Sequence, residues 1–302
     1  MKFNWPKDLW TRYALVISPT QIATYRTCPR QWWLRHVCKV PDRKKTTSFD
    51  FGTVLHSVCE RFLKADDSGR DPATGSPMDL FPNEWETVEE RGQKRRISAS
   101  DAAKVRRLVG HAIDSGVLRR LPDRKIEHPM SFEVTPKVAM IGTIDQFSRG
   151  IVEDHKTTGS KKYALSPEAL RKDPKMLCYA EWARREGHAV QLRLNYMCKD
   201  VNEQPPTWSV ETTITEEEIA EFWGDVLKDA DEMLRIKERG IPVGSWATVE
   251  GPRVPKACSA YGGCDFVPIC GKIVNPTDIS TTEQKETMAS KKFFSSEASA
   301  AS

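Results

Sequence analysis

The segment Ile141-Gly142-Thr143-Ile144-Asp145-Gln146-Phe147-Ser148-Arg149-Gly150-Ile151-Val152-Glu153-Asp154-His155-Lys156 decides how this chain is read. Val138 to Phe147 and Ile151 to Lys156 read as strands in close succession, with Arg149-Gly150 as a two-residue hairpin turn between them. In such a hairpin Ser148 pairs with Ile151, and counting back along both strands sets Asp145 opposite Asp154 on one face. Lys156 lies two residues beyond Asp154, so the period of two in a strand brings its ammonium to that face and turns Glu153 away. Two carboxylates and a lysine converge. Hard oxygen ligands of this kind hold Mg2+ or Mn2+; the ion polarises a phosphodiester and activates water, and the lysine stabilises charge or positions that water. A surface hairpin with a cross-strand salt bridge uses the same residue types, so the segment alone leaves both readings open.

Outward from the hairpin, Phe132 and Val134 alternate and Pro136 marks a turn, which predicts a three-stranded meander from Ser131 to Thr157. Glu133 on its first strand is a weaker candidate for a further carboxylate. A helix is expected from about Pro167 to Glu186. An alternating strand carrying Val190, Leu192, Leu194, Tyr196 and Cys198 follows, then a polar strand and a helix from Glu216 to Arg239. Upstream, Ser18-Pro19 opens a short helix that reaches Cys28. Phe51, Leu55, Val58 and Phe62 form an apolar stripe on a second helix, with His56 beside it, one turn after Gly52. Residues 66–97 lack a clear period and read as an exposed connection. Ser98 and Asp101 cap an amphipathic helix through Val105, Leu108, Val109, Ala112 and Ile113, a helical insertion. The class is α/β with a mixed sheet. The expected divisions are an N-terminal segment at 1–45, a helical region at 46–125, a core at 126–240, a cysteine loop at 241–275 and a disordered tail at 276–302.

The chain has 302 residues, 39% hydrophobic and 29% charged, with a net charge of +4. This length supports a principal core with additions. No stretch approaches the length of a membrane span, and the amino terminus lacks the apolar region of a secretory signal, so a cytoplasmic protein is expected. The mild basicity proves no partner, but basic runs occur at Arg43-Lys44-Lys45, Lys94-Arg95-Arg96 and Lys161-Lys162.

Eight cysteines in a reducing compartment point to metal or redox chemistry where they cluster. Cys258, Cys264 and Cys270 stand at equal intervals in a loop marked by glycine and proline. Three thiolates leave one position open, and Cys28 is the natural fourth. A [4Fe-4S] cluster is expected; zinc competes, although structural zinc usually draws on closely spaced cysteine pairs, which are absent here. Cys38, Cys59, Cys178 and Cys198 read as buried small residues.

These motifs together resemble the RecB-like branch of the PD-(D/E)XK nucleases, whose pattern runs Gly-x-x-x-His, Gly-x-x-Asp, Asp/Glu-x-Lys and Gln-x-x-x-Tyr. Gly52 to His56, Gly142 to Asp145 and Asp154-His155-Lys156 match in order. Lys175 to Tyr179 occupies the fourth place, with lysine where glutamine is usual. The resemblance implies a restriction-endonuclease-like core in which His56, Asp145, Asp154 and the His155 carbonyl bind metal. It makes Lys156 the catalytic lysine and Tyr179 and Lys175 substrate contacts. One cysteine ahead of the motifs and three after them is similar to iron-sulfur members such as AddB-type recombination nucleases and CRISPR-associated RecB-like exonucleases. The expected function is a Mg2+- or Mn2+-dependent DNA exonuclease for recombination or end processing. Because the chain carries no phosphate-binding loop of its own, a helicase, annealing protein or other recombination partner would be a separate polypeptide. The alternatives are a non-catalytic DNA-binding or scaffold subunit of a recombination or CRISPR adaptation complex, and a zinc-stabilised interaction protein.

Overall fold

The computed structural model describes residues 8–40, 47–66, 68–70, 87–90, 93–96, 98–200, 202, 205–239, 258, 264 and 266. The first elements are α1 (Leu9–Arg12), β1 (Leu15–Ile17), α2 (Pro19–Thr27), α3 (Pro29–Trp32), a π-helical turn at Trp33–Val37 and α4 (Thr47–Lys64). β2 (Thr87–Glu90), β3 (Gln93–Arg96), α5 (Ala99–Asp114), β4 (Lys125–Thr135), β5 (Val138–Ser148) and β6 (Ile151–Thr158) follow. A short 3-10 turn at Lys161–Tyr163 leads to α6 (Pro167–Leu170), α7 (Pro174–Arg185), β7 (Val190–Cys198), β8 (Thr207–Ile214) and α8 (Glu216–Arg239). The chain forms two compact units. One comprises Met1–Pro19 with Lys45–Leu227, and the other Thr20–Lys44 with Lys228–Ser302. Among the described residues no helix is long and apolar enough to cross a membrane.

The first unit is built on a mixed six-stranded sheet in the order β1-β5-β6-β7-β8, with β4 pairing on β5. The expected α/β class with a mixed sheet is therefore found. Arg149 and Gly150 both have positive φ, 47° and 90°, the backbone of a tight turn whose twist matches that of the strands it joins. The predicted register holds for Ser148 with Ile151, Phe147 with Val152 and Gln146 with Glu153. There the ladder ends. Farther along the same edge, β5 pairs instead with β1, in parallel, through Val138, Ala139 and Met140. Residues 141–145 of β5 thus lie between two partners, and β6 continues alongside β7 over its whole length. β7 is buried almost continuously, as expected of a central strand with a parallel neighbour. Beside the sheet, α4 and α5 share a buried apolar cluster that includes Phe51, Leu55, Val58, Val105, Leu108 and Met197.

Two expectations are corrected. The single helix expected over 167–186 is two, because Ser166 and Asp173 each cap a new helix by accepting a backbone N–H and each is followed by proline at the first helical position. Residues 66–97 contain the antiparallel β2–β3 pair, whose side chains carry no alternating apolar pattern to announce it. Residues 71–86 and the expected tail at 276–302 lie outside the described residues, as do most of 241–275.

Candidate metal and nuclease site

Where β5 and β6 part, their facing acids take different partners. Asp145 accepts the backbone N–H of His155 at 2.8 Å through Oδ2, and the same oxygen lies 3.4 Å from His56 Nδ1. The amphipathic stripe of α4 buries Phe51, Leu55 and Val58, which orients His56 toward this strand end. Asp154 is fully buried. Its Oδ2 pairs with Lys156 Nζ at 2.5 Å and its Oδ1 with Lys175 Nζ at 2.6 Å. Burial alone would raise the Asp154 carboxyl, but the Lys175 and Lys156 ammoniums prevail and hold it well below the ordinary carboxylate range. Lys175 in turn is held protonated against its own desolvation, chiefly by Asp154.

The carboxylate that completes a triad with His56 and Asp145 is Glu127: the three offer ligand atoms all within 4.8 Å of one another. Sequence reasoning missed it. β4 begins at Lys125, earlier than expected, and the pairs Ile126–Gln146 and His128–Ile144 bracket a position where Glu127 faces Asp145. The ladder skips that pair, and Glu127 adopts φ 50°, a left-handed conformation that costs about 1–3 kcal/mol and persists only where its surroundings enforce it. Burial, then the charges of Asp145 and Glu60, push its carboxyl up to about 8. The signal available in sequence was the continuation of the β4–β5 register by six residues beyond Glu133.

Glu133 itself is placed elsewhere. It pairs with Ala139 along the ladder, accepts the Tyr13 hydroxyl at 3.0 Å and lies 3.8 Å from Arg12 Nη2, and it is not brought together with His56, Glu127 and Asp145. The buried Tyr179 hydroxyl donates to the Thr143 carbonyl at 2.7 Å, which ties α7 to β5 two residues before Asp145. Glu153 turns away as predicted and meets Gln146 at 3.1 Å, Asn195 at 3.2 Å and Arg193 at 3.4 Å. The buried His155 ring has its pKa lowered to about 4 by desolvation, so its side chain is neutral. Gly142 is closely packed: a Cβ there would lie 2.6 Å from Met130 Cε and 3.2 Å from Pro19 Cδ, so the Met130 side chain would have to move.

The carboxylates and imidazole fit a hard divalent cation in number and kind, and the flanking lysines fit a phosphate. In the second unit Cys28 caps α3, its sulfur accepting the Gln31 N–H at 3.5 Å. The Cys264 N–H donates to the Cys258 carbonyl at 2.8 Å, while Cys270 lies outside the described residues. Cys38, Cys59, Cys178 and Cys198 are buried, as expected of small core residues.

No curated protein matches the sequence. Among solved structures, a protein of Eubacterium rectale named "Putative exonuclease" aligns with a TM-score of 0.51 and 13% identity, over 80% of this chain and 89% of its own. This likeness concerns the fold. A second, SSO0001, aligns with a TM-score of 0.33 and 15% identity, over 59% of this chain and 73% of its own. The sequence matches the PD-(D/E)XK nuclease superfamily across residues 16–271, the span that holds every motif around Asp145 and Asp154, and the chain belongs to that superfamily.

Proposed function

We propose that this nuclease-superfamily chain is a Mg2+- or Mn2+-dependent DNA exonuclease of the RecB-like iron-sulfur branch, acting in recombination or DNA end processing. The observation that carries the reading is the gathering of His56, Glu127 and Asp145 beside the Asp154–Lys156 pair at the parting of two strands. A divalent ion, when bound, supplies Lewis acidity toward a phosphodiester oxygen and toward water. Asp145, His56 and Glu127 would hold it, with Asp154 and the His155 carbonyl as the remaining donors implied by the family pattern. The half-buried Lys156 is close enough to Asp154 to orient an attacking water and to counter charge developing on phosphate. His155, with its N–H fixed on Asp145, keeps the β5 and β6 acids in mutual register. In the second unit, Cys28, Cys258, Cys264 and Cys270 would hold the [4Fe-4S] cluster as a structural fastening.

Degradation of end-labelled linear DNA, single- and double-stranded, by anaerobically purified protein with Mn2+, Mg2+ or EDTA tests the reading beside Lys156→Ala. Metal-dependent release of nucleotides, lost in the variant, is expected. One observation favours a second reading, a non-catalytic DNA-binding subunit: both oxygens of Asp154 are neutralised by lysines. Folded wild-type protein that binds DNA but degrades none under any of these conditions would select it.

A further inference from the structure

Asp154 has no exposed surface, yet it faces two ammoniums, Lys156 on Oδ2 and Lys175 on Oδ1. One negative and two positive formal charges leave this end of the site at +1 (−1 + 2). A divalent cation reaching Asp154 must displace an ammonium or be repelled by both. Both reach Asp154 on flexible side chains but from different elements: Lys156 from β6, two residues on from Asp154, where the nuclease reading needs it beside that carboxylate, and Lys175 from the first turn of α7, so Lys175 is the ammonium that can be given up. An ammonium released from Asp154 has a natural new partner in an anion. A phosphodiester is such an anion, and it would also offset the charge that the metal brings.

We infer that Lys175 is an exchange residue, paired with Asp154 in the resting protein and transferred to a substrate phosphate as the metal arrives, so that divalent ion and nucleic acid bind cooperatively. The inference rests on the metal-dependent nuclease reading above. The coupling is reciprocal: DNA tightens metal binding by the factor by which metal tightens DNA binding. Lys175 is thus a positioning residue in the resting state and a substrate contact only in the loaded one.

The test is direct Mn2+ binding to the full chain, followed by electron paramagnetic resonance of the free ion, with and without a short phosphorothioate oligonucleotide. Wild type is expected to bind Mn2+ weakly alone and about tenfold more tightly with the oligonucleotide; Lys175→Gln should bind about tenfold more tightly than wild type alone and lose most of the coupling. Lys175→Arg, which keeps the charge, should retain the wild-type pattern, and Lys175→Met gives a second uncharged variant should the glutamine form fail to fold. Mn2+ affinity and coupling unchanged in the uncharged variants would overturn the exchange while leaving the metal site standing. Absence of Mn2+ binding in wild type, with or without oligonucleotide, would overturn the exchange and the metal-dependent reading together.

Discussion

At the scale of single residues, Glu127 shows how a site can be at odds with the stability of the protein that carries it. Its left-handed backbone and its crowding against Asp145 and Glu60 are unfavourable in the absence of a cation, and the carboxyl pushed up to about 8 reflects the same conflict. Replacing it with glutamine removes the repulsion and keeps the shape. Glu127→Gln is therefore expected to raise the unfolding temperature of the metal-free protein by about 2–4 °C at neutral pH, while lowering Mn2+ affinity by about tenfold. Thermal unfolding with and without Mn2+ reads both effects; a variant with both lower stability and unchanged Mn2+ affinity would assign Glu127 a packing role instead. The backbone turn at Arg149-Gly150 belongs to this scale too, and it was legible because a hairpin's register is written in adjacent residues. Lys175 on Asp154 was not legible. That contact depends on where α7 crosses the sheet, which no local pattern near residue 175 records.

At the scale of elements, the site exists because β5 changes partner along one edge. β1 takes its beginning, β6 takes its end, and Asp145 sits at the last position between them. The alternating pattern predicted β4 to β8 and the hairpin, but neither β1 nor the β2–β3 pair. It could not predict the parallel β1–β5 pairing, since β1 is only three residues long and its partner lies over a hundred residues away in sequence. The split of α6 from α7 was, by contrast, written in two polar-proline caps and masked by continuous helical periodicity. Tyr179 couples these elements through its hydrogen bond to Thr143. Tyr179→Phe leaves that carbonyl without its partner and is expected to cost about 1 kcal/mol of stability. A fall in kcat with KM for DNA little changed is predicted, because the lost bond positions β5 and Asp145. A raised KM at constant kcat would make Tyr179 a substrate contact.

At the scale of the whole molecule, the second unit is assembled from two stretches, Thr20–Lys44 and Lys228–Ser302, with most of the first unit between them in sequence. Within it, Arg26 pairs with Asp229 at 2.5 Å, the Tyr25 hydroxyl bonds the Glu232 side chain and the Arg35 guanidinium lies 5.4 Å from the Phe266 ring centre, so side chains of the two stretches meet. An iron-sulfur cluster on Cys28, Cys258, Cys264 and Cys270 would join the same two stretches covalently. In chain-entropy terms, closing so long a loop contributes about 5 kcal/mol, enough to decide whether this unit holds together. Protein purified without oxygen should accordingly be brown and contain iron and acid-labile sulfide, and iron removal should lower its unfolding temperature. Cys258→Ala should lose the colour and much of the folded protein. Zinc in place of iron in the wild type would transfer the same fastening role to a different ion, whereas a soluble, colourless and fully active Cys258→Ala would mean that the two stretches are held by packing alone.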